Sequence, residues 1–315
     1  VTNLDGSTAT FFNGGDTYTW CIGGLTGPSK IYEQVILVDP NGNDTDAAAA
    51  AQGDFVVPFA TVEGAVQYLS TNNKVGWTVE VQSGKYNVAT PITITDQAGQ
   101  SNSQTTIHLS GAVTIIGAGG MGGGKPLFKI DGTSSLSIVA DVPSNITQTQ
   151  FQSLTGAVIQ TNNLGQEMFD ISGSGGAFNY LELTNVSCIH VGSSNMISYN
   201  ATGTYERQFL NISNCYLDSL SGGTIISRGT GGTVPGKTIF NIRNTFFKNA
   251  NGKGTSINLT GWGGSGLEVK MHLSNCIFYC DNNTNIGNAD SGHIVSTATQ
   301  GAEWQFYWNA NLFYS

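Results

Sequence analysis

The most regular feature of this 315-residue chain is an alternation of apolar and polar residues that recurs about every thirty residues. Each copy is a short alternating run that ends in Asn and continues into a second apolar run. Aligned on that Asn, the copies are LELTNVSC, LNISNCYL, FNIRNTFF and HLSNCIFY. Asn185, Asn214, Asn244 and Asn275 are therefore separated by 29, 30 and 31 residues. A fixed period of this length indicates a repeat architecture.

A second kind of run lies between these copies, and it consists of a short apolar segment followed by glycines. Examples are EMFDISGSGG, NMISYNATG and TIISRGTGG, which begin at Glu167, Asn195 and Thr224. Short runs rich in Ile, Val, Phe and Thr and bounded by Gly and Asn are typical of β-strands. Helical repeats would instead place apolar residues at i, i+3, i+4 and i+7 and contain few glycines.

Two strand types at one period predict an all-β fold, a right-handed single-stranded parallel β-helix. Each period would form one coil, and like strands would stack about 4.8 Å apart. The Asn residues would lie at a bend, because Asn tolerates a left-handed backbone, and their side chains would hydrogen-bond from coil to coil. The positions two before and three after each Asn are predicted core: Leu183, Ile212, Ile242, Leu273, Leu217, Phe247 and Phe278. A β-sandwich with a coincidental Asn repeat is the alternative.

The chain before the repeats contains one helical pattern, which lies in the segment Thr61–Leu69. Val62, Ala65, Val66 and Leu69 fall on one side of that helix. We predict that it caps the first coil, whose open strand edge would otherwise invite aggregation.

The run lengths also predict the organisation of the chain. Residues 39–90 would form the opening segment of the β-helix with its capping helix, and residues 91–315 its coils. An insertion near residues 134–165 stretches one coil beyond its period. Residues 1–38 fit neither type of run, and we interpret them as an N-terminal arm that anchors the protein.

The chain carries few charges, and their balance excludes one class of partner. Lys, Arg, Asp and Glu make up 10% of the residues, against about 25% in an average globular protein. The 12 basic residues are outnumbered by 21 acidic ones, for a formal net charge of −9. Nucleic-acid binding needs basic patches, so we expect no nucleic-acid partner. No run approaches the roughly 20 apolar residues that span a bilayer, so we expect no membrane insertion.

The five cysteines are an odd number and a poor basis for a disulfide framework. Cys215 and Cys276 share one position of the repeat but lie two coils apart. That separation is about 9.6 Å at the stacking distance of strands, which is beyond the reach of a disulfide. We predict buried, reduced thiols.

Residues that carry chemistry are sparse. Hydrolysis of a polysaccharide needs two carboxylates roughly 5–9.5 Å apart, and Glu182 with Asp218 is the one pair that we single out, with ordinary solvated carboxylates as the alternative. We predict no catalytic residue and no cofactor. No metal site is predicted, because four residues lack the spacing of ligands: His108, His190, His272 and His293. Trp262, on a glycine-rich loop, is the candidate for stacking on a sugar, and packing on an adjacent wall is its other interpretation.

The opening segment resembles that of a known group of proteins. The run DPNGND at Asp39–Asp44, then PFATV at Pro58–Val62, a short helix and TVEVQSGKY at Thr78–Tyr86 are similar to the start of right-handed parallel β-helix (pectate-lyase-like) proteins. The resemblance is greatest to phage and virus tailspikes and fibres. It covers Asp39 to about Val88 by motif and the remainder only by its repeat pattern.

This resemblance implies a structural protein of a virion surface, such as a fibre, spike or capsid decoration. We expect it to be non-enzymatic, to be located in the virion and to bind a host-surface polysaccharide. A polysaccharide-degrading tailspike or lyase-like enzyme is one alternative, and a cell-surface or secreted adhesin is another.

The resemblance and the aromatic C-terminus together predict an assembly. We expect a homotrimer whose N-terminal arm docks onto other virion proteins. The C-terminal rings would pack on the final coil or meet those of neighbouring subunits. They are Trp304, Phe306, Tyr307, Trp308, Phe313 and Tyr314.

Overall fold

A computed structural model describes the chain in a series of segments. They are residues 12–13, 16–17, 34–49, 57–96, 103–118, 121, 124–141, 156–162, 165–172, 176–192, 194–199, 205–220, 223–228, 236–250, 257–258, 267–281, 295–296 and 303–314. The chain divides into two compact units, Val1–Val35 and Ile36–Ser315. In the first unit, β1 (Phe12–Asn13) and β2 (Asp16–Thr17) pair antiparallel.

Three sheets account for the described strands from β3 onward, numbered in chain order. The first sheet has nine strands: β3 (Val35–Val38), β4 (Thr78–Val81), β7 (Gln104–Leu109), β10 (Ser135–Ala140), β13 (Gly176–Thr184), β16 (Tyr205–Ser213), β19 (Gly236–Arg243), β22 (Leu267–Ser274) and β25 (Glu303–Asn309).

The second and third sheets have eight and seven described strands. The second contains β5 (Gly84–Val88), β8 (Val113–Gly117), β11 (Ala157–Gln160), β14 (Val186–His190), β17 (Tyr216–Ser219), β20 (Phe246–Ala250), β23 (Ile277–Asp281) and β26 (Leu312–Tyr314). The third contains β6 (Ile92–Ile94), β9 (Phe128–Ile130), β12 (Phe169–Ile171), β15 (Ile197–Tyr199), β18 (Ile226–Arg228), β21 (Ile257–Asn258) and β24 (Val295–Ser296).

The order of these strands defines a parallel β-helix. From β4 onward the chain visits the first, second and third sheets in turn, and each strand pairs in parallel with the equivalent strand one coil away. The predicted fold class is therefore confirmed, and the β-sandwich alternative is wrong. Of the predicted insertion near residues 134–165, residues 142–155 lie outside the described residues.

The core consists of columns of apolar side chains that run from coil to coil. In the first sheet, Leu183, Ile212, Ile242 and Leu273 follow one another in register, and each is at most 1% exposed. In the second sheet Phe247 stacks on Phe278 with ring centroids 4.6 Å apart. Burial of each such side chain stabilises the fold by about 1.5–3 kcal/mol. The predicted core columns are confirmed.

The predicted Asn column lies at the bend between the first and second sheets. Asn185, Asn214, Asn244 and Asn275 have φ values of 60°, 54°, 50° and 52°, so all four adopt the left-handed backbone. The side-chain amide of each of the last three donates to the side-chain oxygen of the Asn one coil earlier, at 3.1, 3.0 and 3.2 Å. The amide of Asn185 donates to Ala140 O at 3.0 Å. The column is thus a continuous hydrogen-bonded ladder.

Three of the five cysteines are described as buried free thiols: Cys188, Cys215 and Cys276. Burial raises the pKa of the Cys215 thiol to about 12, which keeps it protonated and unreactive. Its Sγ donates to Ser213 O at 3.2 Å. The prediction of buried thiols is confirmed for these three, while the side chains of Cys21 and Cys280 lie outside the described part of the chain.

Two helices precede the coils, α1 (Asp44–Ala49) and α2 (Val62–Thr71). Thr61 is the N-cap of α2, since its side chain accepts from Gly64 N at 3.0 Å and donates to Asp44 Oδ2 at 2.6 Å. The apolar side of α2 is buried, as the sequence pattern predicts. This helix packs against β4, β5 and β6, the strands of the first coil. Its role as a cap remains a prediction.

Within the described residues, neither helix has the length and apolar character needed to traverse a bilayer.

Candidate binding groove

Two polar columns run along the outer face of the first sheet. Because side chains of a strand alternate between its two faces, the residues between the core columns point outward. The first of these, the Asn241 column, contains Ser137, Glu182, Asn211, Asn241, His272 and Tyr307 in successive strands. The second, the Arg243 column, begins at the apolar Val139 and continues with polar residues: Thr184, Ser213, Arg243, Ser274 and Asn309.

An open groove of about 400 Å³ lies over these two columns. Its polar lining consists of Glu182, Asn211, Asn241, His272, Ser213, Arg243 and Ser274. The volume falls within the roughly 300–1,000 Å³ that is usual for ligand sites. Because both columns follow the stacking direction of the strands, the groove runs along the axis of the β-helix.

Hydrogen bonds and ring stacking hold the Asn241 column in place. The side-chain amide of Asn241 donates to Asn211 Oδ1 at 2.9 Å. One coil further on, the His272 ring stacks on Tyr307 with centroids 4.4 Å apart and planes 7° from parallel. Side chains that are already ordered lose little conformational entropy when a ligand binds. The column is therefore preorganised.

Glu182 provides a fixed acceptor at one end of the groove. Ser137 Oγ donates to Glu182 Oε2 at 2.7 Å, and the Tyr180 phenol donates to the same oxygen. Burial, followed by the hydrogen bond and charge of Glu182, raises the pKa of Tyr180 above its usual value. The phenol therefore stays protonated and keeps the carboxylate oriented.

The two carboxylates singled out from the sequence are not brought together. Glu182 lies on the first sheet, whereas Asp218 lies on the second, where it is 5% exposed. Asp218 Oδ2 accepts from Tyr216 OH at 2.8 Å and from Lys248 Nζ at 3.2 Å. The structure thus places Asp218 in an ion pair away from the groove.

The three histidines that the structure describes occupy separate environments. His108 bridges two carboxylates, with Nδ1 2.6 Å from Glu80 and Nε2 3.0 Å from Asp141. His190 is buried, which lowers its pKa, and it contacts Thr161 and Ser194. His272 lines the groove.

His293 and Trp262, the candidate for stacking on a sugar, lie outside the described residues. In the part of the chain that is described, no group of three or more His, Cys, Asp or Glu side chains is placed to hold a metal ion.

The groove itself was missed by sequence reasoning, although a signal for it exists. The repeated runs NIS, NIR and HLS place Asn211, Asn241 and His272 one coil apart, and Ser213, Arg243 and Ser274 likewise. Polar residues at the same outward positions of successive repeats form columns once the strands stack in register. A comparison of outward positions across the repeats would therefore have predicted both columns.

No protein-family model matches the chain, and no curated protein or solved structure matches it either.

Proposed function

We propose that this protein is a structural component of a virion surface that attaches to a host-surface polysaccharide through the groove of its first sheet. A rigid β-helix that presents one binding face would suit the role of a fibre, a spike or a capsid decoration. The resemblance of residues 39–88 to tailspike and fibre proteins supports the virion assignment. The observation that carries the binding proposal is the pair of polar columns, with the Asn241 and Arg243 side chains at its centre.

A polysaccharide suits this groove because of its shape and its hydroxyl groups. Amide, hydroxyl, imidazole, carboxylate and guanidinium groups line the groove, and together they both donate and accept hydrogen bonds. A polymer that lies along the axis meets equivalent side chains about every 4.8 Å. Several weak contacts of this kind add up to useful affinity when the lining is preorganised.

The proposed assembly is a homotrimer, with residues 1–38 docked onto other virion proteins. Phe306, Tyr307 and Trp308 of β25 are 37%, 50% and 45% exposed, which leaves aromatic surface for contacts between subunits. The side chains of Trp304, Phe313 and Tyr314 lie outside the described residues. Light scattering tests this assembly, since a mass near the 33.1 kDa of one chain at all concentrations contradicts the trimer.

Binding is tested by isothermal titration of the full chain with polysaccharides extracted from the host surface. We expect Asn241→Ala to weaken binding about tenfold, the cost of one or two hydrogen bonds. The matched control is Asn87→Ala, at an exposed position of the second sheet, which should bind like the unchanged protein. If both substitutions weaken polysaccharide binding equally, the polysaccharide does not bind in the groove.

Location is tested by immunogold labelling with an antibody against the protein. Label on particles supports the virion assignment, whereas label confined to cell envelopes favours an adhesin.

A polysaccharide-degrading enzyme is the second candidate function, because Glu182 is an oriented carboxylate inside the groove. The usual mechanism of glycoside hydrolysis needs a second carboxyl group roughly 5–9.5 Å away, and Glu182 is the single carboxylate among the described lining residues. Release of reducing ends or of unsaturated products by the pure protein, abolished by Glu182→Gln, would favour the enzyme over the attachment protein.

A further inference from the structure

We infer that the groove binds four successive sugars of an extended, cellulose-like polysaccharide, with one sugar on each of four coils. The number of binding positions and the linkage between the sugars go beyond the proposed function, on which they rest.

The polar lining of the groove is divided among four consecutive coils. It consists of Glu182 on β13, Asn211 and Ser213 on β16, Asn241 and Arg243 on β19, and His272 and Ser274 on β22. Three of the coils therefore present one side chain from each polar column, and the fourth presents Glu182. These four coils span three strand spacings, about 14 Å along the axis.

The spacing of the four coils is regular. The members of the Asn241 column from Glu182 to His272 are direct partners in the register of adjacent strands, so the column has no offset from coil to coil. The Asn ladder at the neighbouring bend covers the same four coils, and its hydrogen bonds of 3.1, 3.0 and 3.2 Å indicate an even distance between them. The groove therefore repeats its polar positions along a nearly straight line.

A straight row of positions at this spacing fits an extended polysaccharide. In a β-linked glucan such as cellulose, each sugar advances the chain by close to one strand spacing, about 4.8 Å. Each sugar can therefore lie on one coil, and the hydroxyl groups at its two edges can reach both columns, which are roughly 6.6 Å apart along a strand. An α-linked glucan such as amylose curves into a helix and leaves a straight groove after one or two sugars.

Successive sugars of a cellulose-like chain are turned over relative to one another, so each column meets opposite edges of neighbouring sugars. The lining suits this alternation because the amides of Asn211 and Asn241 and the hydroxyl of Ser274 both donate and accept hydrogen bonds. Glu182 only accepts and Arg243 only donates, and a sugar hydroxyl satisfies either of them. None of these positions therefore requires one particular edge of a sugar.

The described lining also has two defined ends. On β10, the position before Glu182 is Ser137, which is 2% exposed and donates its hydroxyl to Glu182, and Val139 beside it is apolar. On β25, the position after His272 is Tyr307, whose ring is already stacked on that of His272. Neither strand contributes to the described lining of the groove. A fifth sugar should therefore add little to the affinity.

Isothermal titration of the full chain with cello-oligosaccharides of two to six sugars tests this length and linkage. Malto-oligosaccharides of the same lengths are the matched probes, because they differ only in the configuration of the linkage. We expect the affinity for cello-oligosaccharides to rise about three- to tenfold for each added sugar up to four, since each coil adds one or two hydrogen bonds, and then to level off. The malto-oligosaccharides should bind more weakly at four sugars and show no such rise.

Variants assign the sugars to individual coils. Asn241 lies on an inner coil, so Asn241→Ala should weaken the binding of all cello-oligosaccharides of three or more sugars. His272 lies on a terminal coil, so His272→Ala should weaken the binding of four sugars and leave that of three sugars, which can use the other coils, unchanged. Asn87→Ala, at an exposed position of the second sheet, is the control and should match the unchanged protein at every length.

Equal binding of cello- and malto-oligosaccharides, or an affinity that does not rise with length, would overturn the inference and leave polysaccharide binding in place. The same holds if the host polysaccharides bind and none of these oligosaccharides does. An affinity that still rises beyond four sugars would contradict the number of positions, and an unchanged length profile for Asn241→Ala would place the sugars elsewhere. Failure of the oligosaccharides and the host polysaccharides alike to bind contradicts the proposed function as well.

Discussion

The side-chain amide of Asn275 donates to the side-chain oxygen of Asn244 at 3.2 Å, and this bond is the last in the ladder that begins at Asn185. In the next coil the same bend is occupied by Ala310, which has a φ of 50°. An L-residue with a Cβ in this conformation costs about 1–2 kcal/mol, and Asn is among the residues that tolerate it. The hydrogen-bonded ladder therefore ends at Asn275, although the left-handed backbone conformation continues at Ala310.

Extending the ladder should stabilise the protein. We expect Ala310→Asn to raise the free energy of unfolding by about 1–2 kcal/mol, through relief of backbone strain and a new amide hydrogen bond. Ala310→Gly is the control, because it relieves the strain without adding the amide. Denaturant titration measures both variants. If Asn is no better than Gly, the amide ladder contributes nothing measurable at this position.

Breaking the ladder in its middle should destabilise the protein. Asn244→Ala loses two side-chain hydrogen bonds, to Asn214 and from Asn275, and leaves Ala in a left-handed conformation. We expect a loss of roughly 2 kcal/mol in the free energy of unfolding. Asn241 lies on β19, the strand that leads into this bend, and has an extended backbone. Asn241→Ala should therefore lower the free energy of unfolding by less than half as much. Similar losses for both would show that the bend conformation has no special cost.

The capping role of α2 can be tested with two substitutions one residue apart. Val66 is 1% exposed on the side of α2 that is buried, whereas Gln67 points to solvent. Val66→Asp buries a charge and should detach the helix from the first coil, which exposes a strand edge. We expect aggregation, detected by light scattering, for Val66→Asp and not for Gln67→Asp. A soluble, monodisperse Val66→Asp protein would show that the helix is not needed to cover the coil.

Glu167 should make the protein less stable as the pH rises. Burial, with a smaller contribution from Asp170, raises the pKa of Glu167 to about 7 from its ordinary value of 4.5. The folded state therefore binds more protons than the unfolded state between these two values, and the free energy of unfolding falls across that interval. After allowance for partial exposure, the loss is about 1–2 kcal/mol.

Glu167→Gln has no group to titrate, so it should be more stable than the unchanged protein at pH 8 and differ less from it at pH 4. Chemical unfolding at a series of pH values measures the difference. If the free energy of unfolding of the two proteins changes with pH in the same way, groups other than Glu167 cause the decrease.

The fold was predictable because its signals are local and repeated. The alternation around Leu183, Ile212 and Ile242 places one apolar residue inward per coil, and an Asn two residues later marks each bend. Alignment of the repeats on these Asn residues is therefore sufficient to predict the core columns from the sequence.

The groove was harder to predict because outward positions tolerate almost any polar residue. Arg243 is flanked by Ser213 and Ser274, which are distant in sequence and adjacent once the coils stack. Glu182 and Asp218 were singled out on their separation of about one coil. Glu182 precedes Asn185 on the first sheet, whereas Asp218 follows Asn214 on the second, so the bend between the sheets separates the two carboxylates.

A crystal structure of the protein with an oligosaccharide prepared from the host-surface polysaccharide tests the central claim most directly. The account predicts sugar density along the outer face of the first sheet, with sugar hydroxyl groups in contact with Asn211, Asn241 and Arg243. Sugar bound on the second or third sheet, or a groove that stays empty at saturating ligand in solution, would contradict it.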